Sequence, residues 1–170
     1  MTDMTDLDSI LDAYDHLHDE RANELRQAEK ASIAFDADFR QVIASVVRPY
    51  FEEVAAHLQA HGHSALVEEG SITSPDHRLA GGSKITLAFL PKDRAQLSLH
   101  HQLELNDAPH LMLRCDKRRK TIELFQDPDP GIWSGGPISE PNWPMDRVTR
   151  ENLQERVIPM IAEVLRSPYS

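Results

Sequence analysis

The sequence predicts an α+β fold, in which long N-terminal helices lead into an antiparallel β-meander of four to five strands and a C-terminal helix packs on the sheet. Two changes of hydrophobic period predict this order. Apolar residues recur at helical spacing through residues 36–61, at every second position through residues 85–124, and at helical spacing again after residue 148. Because this fold class hosts unrelated functions, the fold alone does not name an activity.

The first element is a long helix over residues 7–35, a stretch without Pro or Gly. Its apolar residues, among them Leu7, Leu11, Tyr14 and Leu25, fall close to a heptad seam, so the segment has coiled-coil character. A lone helix of this kind is marginal in water and needs a surface to lie against. Three partners fit the seam: the same segment of a second chain, the following helix folded back as a hairpin, or a different protein.

Charge separates this segment from the remainder of the chain. Residues 1–38 hold eleven acids and three bases, a net charge of -8, whereas the whole chain carries -10. We therefore divide the chain into an acidic helix over residues 1–35 and a single α+β domain over residues 36–170. The acidic arm disfavours nucleic acid as a partner; it suits contact with a basic protein surface or simply keeps the chain in solution.

The second helix covers residues 36–61 and contains Pro49. Because proline has no N–H, it cannot donate to the carbonyl of Ser45, so we expect the helix to kink or restart there. The apolar spacing continues through Phe51, Val54 and Leu58, which favours a kinked helix that stays on the core. Gly62 suits the end of this helix.

The strands follow from alternation. The alternating runs are a short strand near Val67, then Ile85 to Phe89, Leu97 to Leu105, Leu111 to Cys115, and Ile122 to Leu124. Each is expected to be an antiparallel strand with one wet face. Residues 126–144, rich in proline and glycine, are expected to be irregular, with Trp133 and Trp143 either packed on the surface or in contact with a ligand or partner.

The last element is a helix over residues 148–165 with Pro159 inside it. Thr149 is placed to cap its first turn. Its apolar side, which includes Leu153, Val157 and Ile161, is expected to face the sheet.

Motifs of nucleophilic catalysis and phosphate-binding loops are missing from the sequence. The strongest enzymatic alternative is a pocket on the sheet lined by His100, His101 and Glu104, because His101 replaces a leucine in an apolar row and carboxylate and imidazole groups can act as acid and base. This alternative describes a small hydrolase or ligand-binding enzyme whose pocket lies between the sheet and the tryptophan-containing segment.

Histidines at the end of the second helix are a candidate metal site. His57 and His61 are four residues apart and His63 follows the terminating glycine. They supply two or three ligands without a nearby carboxylate motif, and the negative end of the helix dipole accounts for the same residues. The sequence therefore predicts no metal and no cofactor, and keeps these histidines as the alternative.

A basic cluster lies at the predicted hairpin between the last two alternating runs. Its members are Arg114, Lys117, Arg118, Arg119 and Lys120, with Asp116 as the acid among them. Three interpretations remain open: a solvated turn that prevents edge pairing, a contact with phosphates, and a contact with the acidic arm of a neighbouring subunit.

The chain has no apolar run of the roughly 20 residues that a membrane span requires. Its first residues are acidic, unlike a signal peptide, and the lone Cys115 cannot form an internal disulfide, so we expect a reducing cytoplasm.

These features predict a non-catalytic cytoplasmic protein that binds another protein or itself, a homodimer being the expected assembly. A small acidic α+β dimer is similar in general character to secretion chaperones. The order of elements here, helices and then an unbroken meander, departs from the interleaved order of that group.

Overall fold

The computed structural model describes residues 4–73, 81–93, 108–129 and 137–166. Helix α1 (Met4–Val42) is followed by a π-helical segment (Ile43–Val47) and helix α2 (Arg48–Ala60). Five strands come next: β1 (Ser64–Ser71), β2 (Ser83–Leu90), β3 (His110–Asp116), β4 (Thr121–Asp127) and β5 (Ile138–Trp143). A short 3₁₀ turn (Met145–Arg147) leads into helix α3 (Arg150–Arg166). The predicted α+β class is confirmed.

Helix α1 crosses residues 35 and 36 without a break. The hairpin alternative for the N-terminal seam is therefore wrong, because a helix that continues cannot fold back on its own successor. The predicted interruption at Pro49 is present as the π-helical segment, which ends at Val47, so that Pro49 falls in the first turn of α2. Proline is common in the first turn of a helix, where its fixed φ is already helical.

Gly62 ends α2 as predicted. Its φ of +88° lies in the left-handed region, where a Cβ would strain the backbone. The N–H of Gly62 donates to the carbonyl of Gln59 at 3.0 Å, and the N–H of His63 donates to Leu58 at 3.0 Å. These bonds satisfy the last carbonyls of the helix and turn the chain directly into β1.

The strands form one antiparallel sheet in the order β1-β2-β3-β4-β5. Residues directly opposite each other share a face, so the pairs Val67 with Leu87 and Leu87 with Leu111 define an apolar row across β1, β2 and β3. A second row joins Ile85, Leu113 and Leu124. These side chains pack with Phe39 of α1, Phe51 of α2 and Val157 of α3 in a single core, which places the helices on one face of the sheet.

The expectation that residues 126–144 are irregular is wrong for residues 138–143, which form strand β5. It pairs with β4, with a shift in register between Ile122 and Leu124. Its Pro141 is compatible with a strand because β5 is an edge, where a missing N–H need not break a ladder bond. The irregularity includes Asn142, whose φ is +65°. The alternating pattern in this segment is too short for the sequence alone to predict a strand. Only the pairing with β4 reveals it.

The predicted strand over residues 97–105 lies outside the described residues. Strands β2 and β3, on either side of it in the sequence, pair directly with each other. Along the described ranges, no helix combines the length and the apolar character needed to cross a membrane.

Candidate functional site

Helix α1 carries most of the exposed large apolar side chains that the structure describes. The eight on this helix are Met4, Leu7, Ile10, Leu11, Tyr14, Leu17, Leu25 and Ile33. None of the residues from 4 to 34 is buried, and burial begins with Phe35, Asp36 and Phe39. About 45 Å of helix therefore has no covering surface within the described part of the chain.

These side chains lie mainly on one face of α1. At 3.6 residues per turn, most of them fall within about 40° of Phe39 around the helix axis. The members of this face, here called the α1 stripe, are Leu7, Ile10, Tyr14, Leu17 and Leu25, with Leu11 at its border. The face that packs Phe39 into the core thus continues, uncovered, towards the N-terminus. Exposed apolar surface of this extent is typical of an interaction site.

The opposite face of α1 is acidic. Asp8, Asp12, Asp15 and Asp19 lie about 120° or more from Phe39 around the helix. The helix is therefore amphipathic, with an apolar stripe and a negatively charged back.

A groove runs between α2 and α3 and encloses about 540 Å³. Its apolar lining comes from Val54 and Leu58 on α2 and from Ile158, Ile161 and Leu165 on α3. Ile158 and Leu165 are among the exposed large apolar side chains. We call this feature the α2–α3 groove; its volume is in the range of small-molecule and peptide-anchor sites.

Polar groups line the groove as well. At one end, Arg150 forms an ion pair with Glu53 at 2.7 Å, and its guanidinium lies 5.2 Å from the centre of the Tyr50 ring. At the other end are His57, His61 and His63. The lining is thus apolar along its length, with a guanidinium at one end and three imidazoles at the other.

The structure brings His57, His61 and His63 to one groove without forming a metal site. Nδ1 of His61 lies 2.9 Å from the carbonyl of His57, and Nδ1 of His63 accepts the N–H of Lys92 at 3.1 Å. Among the described residues, no group of three or more His, Cys, Asp or Glu is arranged to hold a metal ion. The arrangement therefore gives no support to the metal alternative.

The basic cluster is divided between a strand and a turn. Arg114 lies on β3, where Nε contacts Glu123 of β4 at 2.7 Å and the guanidinium stacks 5.1 Å from the Phe125 ring. Lys117, Arg118, Arg119 and Lys120 form the predicted hairpin turn, and Lys120 has a φ of +53°. The carboxylate of Asp116 accepts the N–H of Arg119 at 3.0 Å, which closes the turn.

Trp143, predicted to contact a partner or to pack, is fully buried in the core. A direct partner contact is therefore a wrong assignment for this residue, because its side chain has no exposed surface. Its indole N–H donates to Glu140 at 3.3 Å, and the guanidinium of Arg147 lies 4.2 Å from its ring centre. Arg156 of α3 binds the same Glu140 at 2.6 Å, which ties edge strand β5 to the helix layer.

Four other predicted site residues lie outside the described residues. They are Trp133, His100, His101 and Glu104.

A buried carboxylate that sequence reasoning did not single out joins α1 to β2. Asp36 accepts the N–H of Ser83 at 2.8 Å and its hydroxyl at 2.9 Å, and Arg40 lies 2.9 Å from the same carboxylate. Burial raises the pKa of Asp36, but the Ser83 hydrogen bonds and the charge of Arg40 outweigh it and hold the pKa below its ordinary 3.8. Burial and the nearby Asp36 raise the pKa of the Cys115 thiol to about 12. Cys115 is thus a protonated core residue and not a nucleophile.

The α2–α3 groove was also missed. Its signal in the sequence is Ile158, an apolar residue outside the core side of the last helix, but only the tertiary structure shows that α2 lies beside it.

Comparison of the chain with protein-family models, with curated proteins and with solved structures gave no match.

Proposed function

We propose that this protein is a non-catalytic interaction protein that associates with a second copy of itself through the α1 stripe. The observation that supports the proposal is the uncovered apolar face of α1, which lies on the same side of the helix as the core-facing Phe39 and extends about 27 Å from Leu7 to Leu25. Burial of one large apolar side chain stabilises an interface by roughly 1.5–3 kcal/mol, and the stripe offers five such side chains against the entropy lost on association.

The charge of α1 favours a particular kind of contact. Its back is acidic, so the stripe and not the back is the surface that meets a partner, while the acids remain in water. The spacing of apolar residues along the stripe, by threes and fours, is that of a helix that lies against a helix or in a groove. This geometry supports a protein partner.

Polar substitution in the stripe tests the proposal. We expect wild type to sediment as a dimer or larger species. Tyr14→Glu or Leu25→Glu should raise the dissociation constant of this species tenfold or more, because a charge replaces an apolar group that the interface buries. Sedimentation equilibrium over a range of concentrations measures the constant directly.

Ile33→Glu is the matched control. Ile33 is on the same helix and is 58% exposed, against 64% for Tyr14, but it lies about 120° away from the stripe centre. The Ile33→Glu variant adds the same charge to the same acidic helix, so we expect it to associate as strongly as wild type. A monomeric wild type, or equal losses in the control and the stripe variants, would contradict the proposal.

We also place this function in a reducing cytoplasm. The support is the single Cys115, which is buried and has no second cysteine in the chain to pair with.

A further inference from the structure

We propose that the α1 helices of two copies of the chain pair antiparallel, with Leu7 of each copy opposite Leu25 of the other. This inference rests on the proposed function, because it gives the direction and the register in which the α1 stripe meets a second copy of itself. Three features of the chain support it: the side of α1 on which the core lies, the distribution of charge along the helix, and the position of Arg21.

The core of the chain lies over the same face of α1 as the stripe. Phe39 is fully buried in the core, and Phe35 is partly buried against it. Both residues lie on the side of the helix that carries the stripe, about 40° from each other around the axis. From Phe35 onward this face is therefore covered by the sheet and helices of the same chain, whereas from Leu7 to Leu25 the described residues leave it exposed.

This arrangement favours one direction for a second helix on the stripe. In a parallel pair both cores would lie at the same end, each over the face that meets the other helix, so the two cores would need the same space. In an antiparallel pair the cores lie at opposite ends of the pair. Each stripe is then open to the other along its whole length.

The length of the exposed helix fits the antiparallel pair. Leu7 and Leu25 are about 27 Å apart along the axis, so placing each opposite the other brings the two stripes into full overlap. Residue 4 of the second copy then lies opposite residue 28, about 10 Å short of Phe35. The described part of the second helix therefore stops before it reaches the core.

The charge of α1 is distributed unevenly along its length. Residues 4–20 carry six acids and no lysine or arginine, whereas residues 21–34 carry three bases and two acids, a net charge of +1. A parallel pair sets six acids beside six acids, while an antiparallel pair sets them beside the segment of positive charge. Most of these acids lie on the back of the helix and make no contact across the interface, so they act as like-charge repulsion that salt screens over roughly 10 Å at 0.1 M. This repulsion disfavours the parallel direction.

Arg21 lies within the stripe itself. It is exposed, it is in line with Phe39 around the helix axis, and no ion pair joins it to another described residue. In a parallel pair in register, the two Arg21 guanidinium groups would face each other across the interface. In the antiparallel register Arg21 lies opposite Leu11 of the second copy, where its aliphatic stem covers the leucine and its guanidinium reaches water.

Cysteine pairing between two variants tests the direction. In the proposed pair, the thiol of Leu7→Cys on one chain faces the thiol of Leu25→Cys on the other, whereas two copies of either variant hold their introduced thiols about 27 Å apart. We study an equimolar mixture under mild oxidation, at concentrations where wild type is a dimer. It should form the mixed disulfide at least about tenfold faster than either variant forms its own, because a disulfide needs Cα atoms within about 7 Å. Mass spectrometry of the intact covalent dimers distinguishes the three products.

Asn23→Cys is the matched control for Leu25→Cys. Asn23 is an exposed residue two positions away on the same helix, but it lies about 160° from Phe39, on the back of α1. Its mixture with Leu7→Cys should form no mixed disulfide above the rate of either variant alone. The native Cys115 is buried and does not compete. Leu11→Cys with Arg21→Cys, which face each other in the same register, replaces the first pair if one of its variants fails to associate.

The outcomes separate this inference from the proposed function. If each single variant forms its own disulfide as fast as the mixture forms the mixed one, or faster, the antiparallel inference is wrong and the α1 proposal stands. Absence of the mixed disulfide for both pairs in a protein that still dimerises, or equally fast pairing with Asn23→Cys, likewise overturns the inference. A wild type that sediments as a monomer overturns both.

Discussion

At the scale of single residues, the buried carboxylate of Asp36 is the clearest polar determinant of the fold. It connects the end of α1 to the start of β2 through Ser83 and is itself paired with Arg40. A buried carboxylate that accepts from the Ser83 N–H, the Ser83 hydroxyl and the Arg40 guanidinium stabilises the native state, whereas the same group without them would oppose folding. Asp36 thus lies where the exposed part of α1 ends and its packed part begins.

Asp36→Asn should lower the free energy of unfolding by about 1.5–3 kcal/mol at neutral pH, because an amide replaces a charged acceptor beside a guanidinium and a hydroxyl donor. Urea unfolding followed by circular dichroism measures the loss. Asp38→Asn is the matched control: Asp38 is an exposed acid two residues along the same helix, and its effect should stay within about 0.5 kcal/mol. Equal effects at the two positions would contradict the assignment.

The same carboxylate makes stability dependent on pH. Since the folded pKa of Asp36 is below 3.8, the unfolded chain binds a proton before the folded one does. The contribution of Asp36 is therefore complete above the unfolded pKa and disappears as the pH falls through the folded pKa. Asp36→Asn should show a shallower decline of unfolding free energy below about pH 4 than wild type. If the unfolding free energies of the two proteins fall equally steeply in acid, Asp36 does not cause this pH dependence.

At the scale of elements, the termini of the helices follow local rules. Thr149 Oγ1 accepts the N–H of Asn152 at 3.3 Å, and the carbonyl of Thr149 accepts the N–H of Leu153 at 3.0 Å, as expected of the residue that begins α3. Gly62 and Pro49 likewise stand where their backbone preferences place them. These positions were predictable because capping depends on neighbours in sequence.

Thr149→Ala should destabilise the protein by about 1 kcal/mol, because the first turn of α3 loses a side-chain acceptor. Thermal unfolding by calorimetry gives the change. The conservative variant Thr149→Ser keeps the hydroxyl and should recover most of the stability. A serine variant as unstable as the alanine variant would instead assign the effect to packing of the threonine methyl.

Strand β5 is an element that local sequence rules could not predict. Its residues include Pro141 and Asn142, which are poor strand formers, and its stability comes from pairing with β4 and from the burial of Trp143 against Glu140, Arg147 and Arg156. The pattern of residues 126–144 could not show these contacts because their partners lie elsewhere in the chain.

At the scale of the whole molecule, the boundary between the exposed part of the chain and its core lies within helix α1. Residues 4–34 contribute no buried side chain, and the core cluster begins at Phe39, with Phe35 partly buried against it. We therefore expect folding of the sheet and its helices not to depend on the exposed part of α1, whereas the proposed association does.

A chain that begins at residue 34 should stay folded and lose self-association. Its unfolding free energy, measured at a concentration where wild type is monomeric, should differ by less than about 1 kcal/mol, because no buried residue is removed. Its mass by light scattering should be that of a monomer at concentrations where wild type is a dimer. A truncated chain that unfolds would show that the exposed helix is needed within the monomer.

The sequence by itself determined the α+β order of long helices, meander and last helix, the helix termini at Gly62 and Thr149, the amphipathic character of α1 and the location of the basic turn, because periodicity and backbone preference act between near neighbours. The tertiary structure alone decided that α1 and α2 are continuous, that Trp143 belongs to the core, that Asp36 meets Ser83, and that α2 and α3 form a groove. Each of these depends on which distant segments pack together. That choice is made by burial of apolar surface and pairing of buried polar groups over the whole chain.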